Sequence, residues 1–235
     1  MEDGKKMNKI NVLYEDNHII VVEKPVNMLV QADDTKDLDL LTMIKDYIKE
    51  KYNKPGNVYL GLVHRLDRPV GGVMVFARTS KAASRLSNEV RERSIKKTYL
   101  AVVHGKTKDH DRLVDYISKD NKTNNAYIDK KSGKESILEY DTLKYDKKND
   151  LSLIKVNLKT GRHHQIRLQM SNSGYPLYGD QRYGLQDKKQ IALYAYKLEF
   201  FHPVTHELMS FKLLPKEEGG FSILEGVVGL WKTYI

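Results

Sequence analysis

Residues 64–83 read HRLDRPVGGVMVFARTSKAA, and three kinds of local signal follow one another along this stretch. The charged start runs into Pro-Val-Gly-Gly, which predicts a turn because Asp and Pro favour turn geometry and Gly relaxes backbone limits. The apolar run VMVFAR then predicts a β-strand. Thr79 or Ser80 predicts the cap of an amphipathic helix. A charged loop, a strand and a helix therefore follow in succession.

Outward from this stretch, strand patterns outnumber helix patterns. Two apolar runs around Glu15-Asp16-Asn17 predict an opening hairpin, and spaced apolar residues predict a helix over 38–52. Further strands, including two hairpins, are predicted at 58–65, 95–105, 137–146, 151–160, 192–203 and 206–215, with short strands and mobile loops at 106–134. Helices are predicted from 163 to Gly174 and over 219–235, the last packing through Leu224, Val227, Val228 and Trp231. The pattern indicates an α+β protein with a large mixed or mainly antiparallel sheet and flanking helices.

Composition limits the possible functions. The 235 residues carry a net charge of +9, contain no cysteine, and have no apolar run of the ~20 residues that a membrane helix needs. No secretory signal pattern opens the chain, so we expect a cytoplasmic protein with a loose tail over 1–9 and one domain over 10–235. The excess of basic residues favours a polyanionic partner, and nucleic acid is the first candidate, although many of these lysines can be solvated loop residues.

The first candidate constellation is the charged start of the quoted stretch. Asp67 stands between Arg65 and Arg68, and a carboxylate in such a setting can act as a base or as a nucleophile. The alternative is a surface turn whose ion pairs contribute little stability. Because a Gly-containing loop at a strand end is a frequent place for a site, both interpretations stay open.

The second constellation is TGRHHQIRLQM, residues 160–170. A helix that starts after the glycine would offer free backbone N–H groups to a phosphate. In such a helix His163, Arg167 and Met170 share one face, so Arg167 could reach a site from a rigid element. The alternative is an ordinary capped surface helix.

The histidines are not expected to bind a metal ion. Adjacent residues on a helix diverge by about 100°, so His163 and His164 are not expected to share an ion with His64 and Asp67. The tyrosines offer another possibility, because rings next to basic residues can stack on unpaired bases. Tyr99, just after Lys96-Lys97, is one candidate, although most tyrosines are better explained as half-buried strand residues.

Together these segments resemble the RluA family of RNA pseudouridine synthases, and the resemblance covers nearly the whole chain. The matching segments, in the order of the family, are YEDNHIIVVEKPVNMLVQ, GLVHRLDRPVGGVMVFART, KKTYLAVVHG, LKTGRHHQIRLQMSNSGYPLYGDQRYG and LYAYKLEFFHPVTHELMSFKLLP. Each segment alone is weak evidence for the family, whereas five segments in this order are highly specific evidence for it.

The resemblance implies the pseudouridine synthase catalytic fold and an isomerisation of uridine in RNA that needs no cofactor and no metal. Asp67 matches the catalytic aspartate, Arg167 the arginine that pairs with it, and Tyr99 the tyrosine that stacks on the base and helps to move the C5 proton. Arg65 matches the arginine that fills the gap left by the flipped nucleotide. The side chains expected to contact RNA are His64, Arg65, Arg68, Arg162, His163 and Gln165.

The sequence departs from the family pattern in three places. Arg68-Pro69-Val70-Gly71 stands where the common pattern is a residue followed by Thr-Ser-Gly, so the loop after Asp67 is expected to be stiffer. His163 stands where Thr or Ser is usual. The opening hairpin begins near Ile10, which leaves no room for an S4-type RNA-binding domain before it. The target is therefore open between ribosomal and transfer RNA, and a monomer is expected.

Two other functions remain as alternatives to the isomerase. The same fold could hold or remodel RNA without turnover, in which case Asp67 would be dispensable. A nuclease that uses metal on its histidines would be inhibited by a chelator and would shorten RNA. The combination of Asp67, Tyr99 and Arg167 favours the isomerase.

Overall fold

The computed structural model describes residues 10–225, and these form one sheet with helices on both faces. The predicted tail over 1–9 and the end of the predicted last helix, with Val227, Val228 and Trp231, lie outside the described residues. The strands are β1 Val12–Glu15, β2 Ile19–Lys24, β3 Gly61–Leu62, β4 Gly71–Ala77, β5 Lys96–His104, β6 His110–Asp120, β7 Asn125–Ile128, β8 Lys134–Asp146, β9 Leu151–Leu158, β10 Leu193–Phe201 and β11 Leu208–Lys212. The helices are α1 Leu40–Lys51, α2 Ser80–Arg91 and α3 Gln165–Asn172, followed by a 3-10 turn over Gly219–Leu224.

The sheet has eleven strands in the order β1-β2-β4-β10-β5-β9-β8-β6-β7, with β11 on β10 and β3 on β4. All of these pairs are antiparallel except β4 with β10, which run parallel. The prediction of an α+β fold with a mixed, mainly antiparallel sheet is confirmed.

Helices cover the two faces of the sheet unequally. On one face α1 and α3 pack, through Ile44 and Met170 among others, onto the buried side chains of β2, β4, β5 and β9. On the other face α2 packs through Ala82 and Leu86, while the 3-10 turn covers Leu100 and Val102 of β5. The site lies on the first face, beside the start of α3.

Side chains cap the starts of α1 and α2. The Asp39 carboxylate accepts the backbone N–H of Thr42, and the Thr79 hydroxyl accepts that of Ala82. Thr79 is thus the cap of α2, one of the two residues that the sequence proposed. No helix within residues 10–225 is both long and apolar enough to cross a membrane.

Three local predictions are wrong. The strand predicted over 58–65 is reduced to β3, because only two of its residues pair with β4. The segment 106–134 contains β6, eleven residues long, and β7, which form a hairpin rather than a set of short strands. The helix predicted from 163 starts at Gln165, with His164 in the left-handed region at φ 52°.

The turn predicted after the charged start is present over residues 67–70, where the Val70 N–H donates to the Asp67 carbonyl oxygen at 3.0 Å, but Gly71-Gly72 lie inside β4 and not in the turn. Gly72 has φ 128°, and a Cβ there would be only 2.3 Å from the carbonyl oxygen of Ala195 on β10. A side chain is therefore excluded where the parallel strands meet. The close approach joins the β1–β4 part of the sheet to the part that carries β5 and β9.

Candidate active site

A cleft of about 920 Å³ opens on this face of the sheet, beside the start of α3. Its walls come from the loop after β3, the start of β5, the start of α3 and the loop that precedes β10. All nine side chains singled out in the sequence line it, namely His64, Arg65, Asp67, Arg68, Tyr99, Arg162, His163, Gln165 and Arg167. The fold therefore brings together residues that lie up to 103 positions apart in the chain.

At the floor of the cleft, Arg167 lies between two carboxylates. Its Nη1 donates to Asp67 Oδ2 at 3.1 Å, while Nε and Nη2 donate to the two oxygens of Asp180 at 2.8 and 2.7 Å. The Asp180 side chain is fully buried, whereas that of Asp67 is 26% exposed. The guanidinium is thus anchored on the buried side and presents its remaining edge to Asp67.

The environment of Asp180 keeps it charged although it is buried. Burial alone would raise the pKa of the Asp180 carboxyl, but bonds from Arg167 and from the backbone N–H groups of Arg182 and Tyr183 lower it below the usual value. For Arg167, burial opposes the charge and the pairing with Asp180 and Asp67 restores it, so its pKa is raised. The pair is a fixed ionic unit behind Asp67.

Tyr99 comes from β5 and lies on the same face of the sheet as Asp67. Its ring is 7% exposed and belongs to the main core cluster. Burial, with a smaller contribution from the charge of Asp67, raises the pKa of the Tyr99 phenol above its usual value. The phenol is therefore neutral at ordinary pH and offers an apolar ring to whatever enters the cleft.

Lys24 supports the loop that carries Asp67 from behind. Its side chain is fully buried at the end of β2, and Nζ donates to the carbonyl oxygens of Pro25, Arg68 and Val70 at 3.0, 2.9 and 2.7 Å. Burial lowers the pKa of this amine to about 7, while the three carbonyl oxygens match the three N–H bonds of an ammonium group. The loop after Asp67 is thereby tied to β2.

The two adjacent histidines stand beside Asp67 and not on the helix. Their rings stack with centroids 3.7 Å apart, and His164 Nε2 lies 3.5 Å from Asp67 Oδ2. The hydroxyl of Tyr183 is 2.8 Å from His164 Nδ1 and holds the ring in this direction. The expectation that the histidines diverge fails, because it assumed helical geometry for both. Asp67, His163 and His164 are close enough to hold a metal ion.

The other predicted RNA contacts divide into inner and outer residues. His64 and Gln165 are buried, with His64 Nε2 accepting the N–H of Val75 and Gln165 Oε1 accepting that of Arg162. Arg65 and Arg68 are exposed at the rim, and Arg68 pairs with Asp37 at 2.7 Å. The inner residues shape the wall, and the outer ones offer positive charge.

Sequence reasoning gave no role to four residues that build this site. Asp180 and Tyr183 lie in the glycine-bounded segment Gly-Asp-x-x-Tyr-Gly, residues 179–184, and Lys24 lies at the end of the opening hairpin. Lys97 lines the cleft with its ammonium group, which makes no hydrogen bond or ion pair to any residue within 10–225. Burial lowers its pKa below the usual value. The Gly-Asp-x-x-Tyr-Gly pattern was the available signal for Asp180 and Tyr183.

Comparison with known sequences gives a consistent result. A family model described as RNA pseudouridylate synthase matches residues 18–172. The chain is 34% identical over 217 residues to an uncharacterised RNA pseudouridine synthase of Aquifex aeolicus, covering 87% of this chain and 69% of that protein. It is 35% identical over 207 residues to ribosomal large subunit pseudouridine synthase C of Buchnera aphidicola, covering 82% of this chain and 62% of that protein.

A third relative and two solved structures extend the comparison. Ribosomal large subunit pseudouridine synthase D of Pseudomonas aeruginosa is 31% identical over 214 residues, covering 84% of this chain and 65% of that protein. The chain thus spans about two thirds of the length of these relatives. The human RNA pseudouridylate synthase domain containing 1 structure has a TM-score of 0.74 at 21% identity, covering 99% of this chain and 98% of that one. The structure of human RNA pseudouridylate synthase domain containing 4 has a TM-score of 0.73 at 20% identity, covering 88% of this chain and 89% of that one. It shares the fold as well.

Proposed function

Because this chain belongs to the RluA-type family of RNA pseudouridine synthases, we propose that it converts uridine to pseudouridine in RNA within the cleft around Asp67. The observation that carries the proposal is the ionic unit in which Asp180 holds Arg167 and Arg167 holds Asp67, with the Tyr99 ring on the same face. A partly exposed carboxylate held by a buried cation is suited to act on a substrate.

The chemistry is an isomerisation. The bond between N1 of uracil and C1′ of the ribose breaks, the base turns, and C5 bonds to C1′ while C5 loses its proton and N1 gains one. Asp67 is the group that acts on the nucleotide, either by adding to the base or by acting at the sugar. Arg167 fixes the direction of the carboxylate, and the neutral Tyr99 ring packs against the uracil face.

Access to the base requires that the uridine leaves its stack, because C1′ and C5 cannot be rearranged inside a helix. We propose that Arg65, exposed at the rim, occupies the space left by the flipped base. Arg68, Arg162 and His163 lie along the same opening and would contact the RNA backbone. Such contacts orient the RNA without reading its sequence. His64 and Gln165 act behind them, by holding the wall of the cleft.

Ribosomal RNA is the substrate class that we favour over transfer RNA. Two of the three relatives described above carry names that specify the large ribosomal subunit. We further propose that residues 10–235 act as one catalytic domain preceded by the tail 1–9, that the chain works as a monomer in the cytoplasm, and that the reaction needs no cofactor. The net charge of +9 suits an RNA partner, whether that partner is ribosomal or transfer RNA.

The test is modification of total RNA from a strain that lacks the protein. Purified chain and an Asp67→Asn variant are each incubated with this RNA, and pseudouridines are mapped by carbodiimide labelling and primer-extension stops. We expect new stops at discrete uridines with the unaltered chain and a loss of about 100-fold or more in the variant, since Asn has the shape of Asp without its carboxylate chemistry. The variant should still bind RNA.

The same experiment discriminates the two alternatives. RNA binding without new stops in any RNA would reject the isomerase and favour a protein that holds or remodels RNA. Shortened RNA that is protected by a chelator would favour a nuclease. The choice between ribosomal and transfer RNA follows from which molecules carry the stops.

A further inference from the structure

The cleft contains a second arrangement that the isomerisation does not need. One ligand atom each from Asp67, His163 and His164 lies within 4.8 Å of the others. Two imidazoles and one carboxylate are a donor set that binds zinc and related divalent metals in proteins. His163 stands where the resemblance leads one to expect Thr or Ser, so the third donor comes from a departure of this chain from the pattern.

The hydrogen bonds around the histidines match those of metal ligands. His163 Nε2 is 3.0 Å from the carbonyl oxygen of Asn124, which only accepts, so Nε2 carries the hydrogen and Nδ1 carries the free lone pair. His164 Nδ1 lies beside the hydroxyl of Tyr183; as a ligand, His164 would donate the Nδ1 hydrogen to this oxygen, so that Nε2, which faces Asp67, offers its lone pair. A ligating histidine in proteins usually has its other nitrogen held by a carbonyl or a similar group.

The positions of both rings are fixed before any ion arrives. Asn124 lies at the tip of the β6–β7 hairpin, and Tyr183 accepts the backbone N–H of Ala126 from the same hairpin at 2.7 Å. The two rings therefore stack in one place because a single hairpin holds both of them. Little side-chain freedom would be lost on binding an ion.

We propose that Asp67, His163 and His164 form a binding site for a divalent transition metal ion of the zinc type, and that its occupation inhibits the protein. An ion held there engages the Asp67 carboxylate and stands in the path of a nucleotide. The binding part stands on the geometry alone, while the inhibition part rests on the proposed function. Magnesium and calcium, which prefer oxygen ligands, are not expected to bind.

The binding part is tested without RNA. The full chain is titrated with Co²⁺, whose visible absorption reports nitrogen and oxygen coordination, and Zn²⁺ is then added to displace it. The informative variant is His163→Thr, which should lower the affinity for both ions by at least about 100-fold, because even the loss of a supporting group costs up to that factor. The control is His110→Thr, which removes an exposed histidine bonded to Asp141 outside the cleft and should leave the affinity unchanged.

The inhibition part is tested by RNA modification with and without Zn²⁺, each protein being compared with its own zinc-free rate. We expect zinc to suppress modification by the unaltered chain, a chelator to restore it, and the His163→Thr variant to resist the same zinc concentration. Absence of Co²⁺ absorption, or equal affinity in the His163→Thr variant, would overturn the site. A chain that binds Co²⁺ through His163 but modifies no RNA supports the site and counts only against the proposed function.

Discussion

At the scale of single residues, Asp180 is expected to affect catalysis strongly although it does not line the cleft. It never meets solvent, yet it supplies two of the three hydrogen bonds that hold Arg167. In Asp180→Asn the guanidinium keeps only Asp67 as a charged partner, and one buried charge loses its compensation. We expect kcat to fall by about 10-fold or more while KM changes little, because Asp180 orients the reacting group and does not touch RNA.

The matched control is Asp187→Asn, in the same loop, whose carboxylate is bonded within residues 10–225 only to Gln181 and Lys189 near the surface. It should retain the rate of the unaltered chain. A drop in thermal stability without a drop in kcat for Asp180→Asn would assign that carboxylate a purely structural role. Rescue of kcat in Asp180→Glu would support an orienting role.

Lys97 is the second residue whose role follows from its surroundings. Its ammonium group lines the cleft without an anionic partner in residues 10–225, beside Gly161, where a Cβ would lie 3.9 Å from Nζ. We expect a phosphate of the bound RNA to supply the missing charge, so Lys97→Gln should weaken binding equally for all RNA sequences. The dependence of log K on log salt should become shallower by about 0.7 to 0.9, which is one phosphate contact.

The comparison variant for this measurement is Lys96→Gln, the exposed neighbour on the same strand. Binding is measured by fluorescence anisotropy at several salt concentrations. If the slopes of the two variants are the same, Lys97 does not contact a phosphate and its position has another explanation.

At the scale of elements, the sequence predicted best where the signals were local. The caps of α1 and α2 and the turns of the hairpins depend on residues within a few positions, so Thr79 and the β8–β9 pair could be read directly. β3 could not, because its length is set by how far it pairs with β4 and not by its own apolar pattern. The start of α3 was missed because His164 adopts the left-handed backbone conformation, at φ 52°, so regular helix begins only at Gln165.

Gly72 gives a prediction at this scale, since it lies where β4 meets β10. The substitution Gly72→Ala would set a Cβ against the Ala195 backbone, which cannot move without disturbing the sheet. Gly56→Ala is the control, because Gly56 also has a positive φ, of 111°, but has open space around it. Both variants should lose about 1 to 2 kcal/mol of unfolding free energy because of backbone strain, and Gly72→Ala should lose about 1 to 3 kcal/mol more because of the clash.

The difference is measured by urea unfolding of both variants under one condition. Equal losses in the two variants would show that the sheet accommodates the side chain and that only the backbone angle matters. A larger loss at Gly72 would show that the parallel pairing needs a residue without a side chain.

At the scale of the whole molecule, the site is assembled from segments that only the fold brings together. The roles of Asp67 and Arg167 could be anticipated because the resemblance named them, and their side chains meet across a hundred positions. The partners of these groups could not be anticipated in the same way. The place of Lys97 beside the cleft depends on which strands are neighbours, and nothing local in the sequence states that β5 lies between β9 and β10.

The buried His64 makes the stability of this assembly depend on pH. Its Nε2 accepts the N–H of Val75, its Nδ1 has no partner within residues 10–225, and Lys97 is the charged group that acts on it. Burial, with a smaller contribution from Lys97, lowers its pKa well below the usual 6.5. Below about pH 6.5 the unfolded chain therefore binds a proton at this histidine that the folded chain does not bind.

The free energy of unfolding should consequently fall as the pH is lowered from 6.5 towards 5, by up to about 1.4 kcal/mol per pH unit for the proton at His64. His164, whose pKa burial lowers to about 4, adds a slope of the same sign in this window. The carboxyls with lowered pKa, such as Asp180, lose their contribution mainly at more acidic pH, so they disturb this window little. Urea unfolding at pH 7.5, 6.5, 5.5 and 5.0 measures the slope, and His64→Gln removes the imidazole while keeping an acceptor for Val75. The variant should be less stable at pH 7.5 but show a shallower slope. An unchanged slope would mean that His64 takes up its proton in the folded chain, and that the bond to Val75 opens on protonation without unfolding the wall of the cleft.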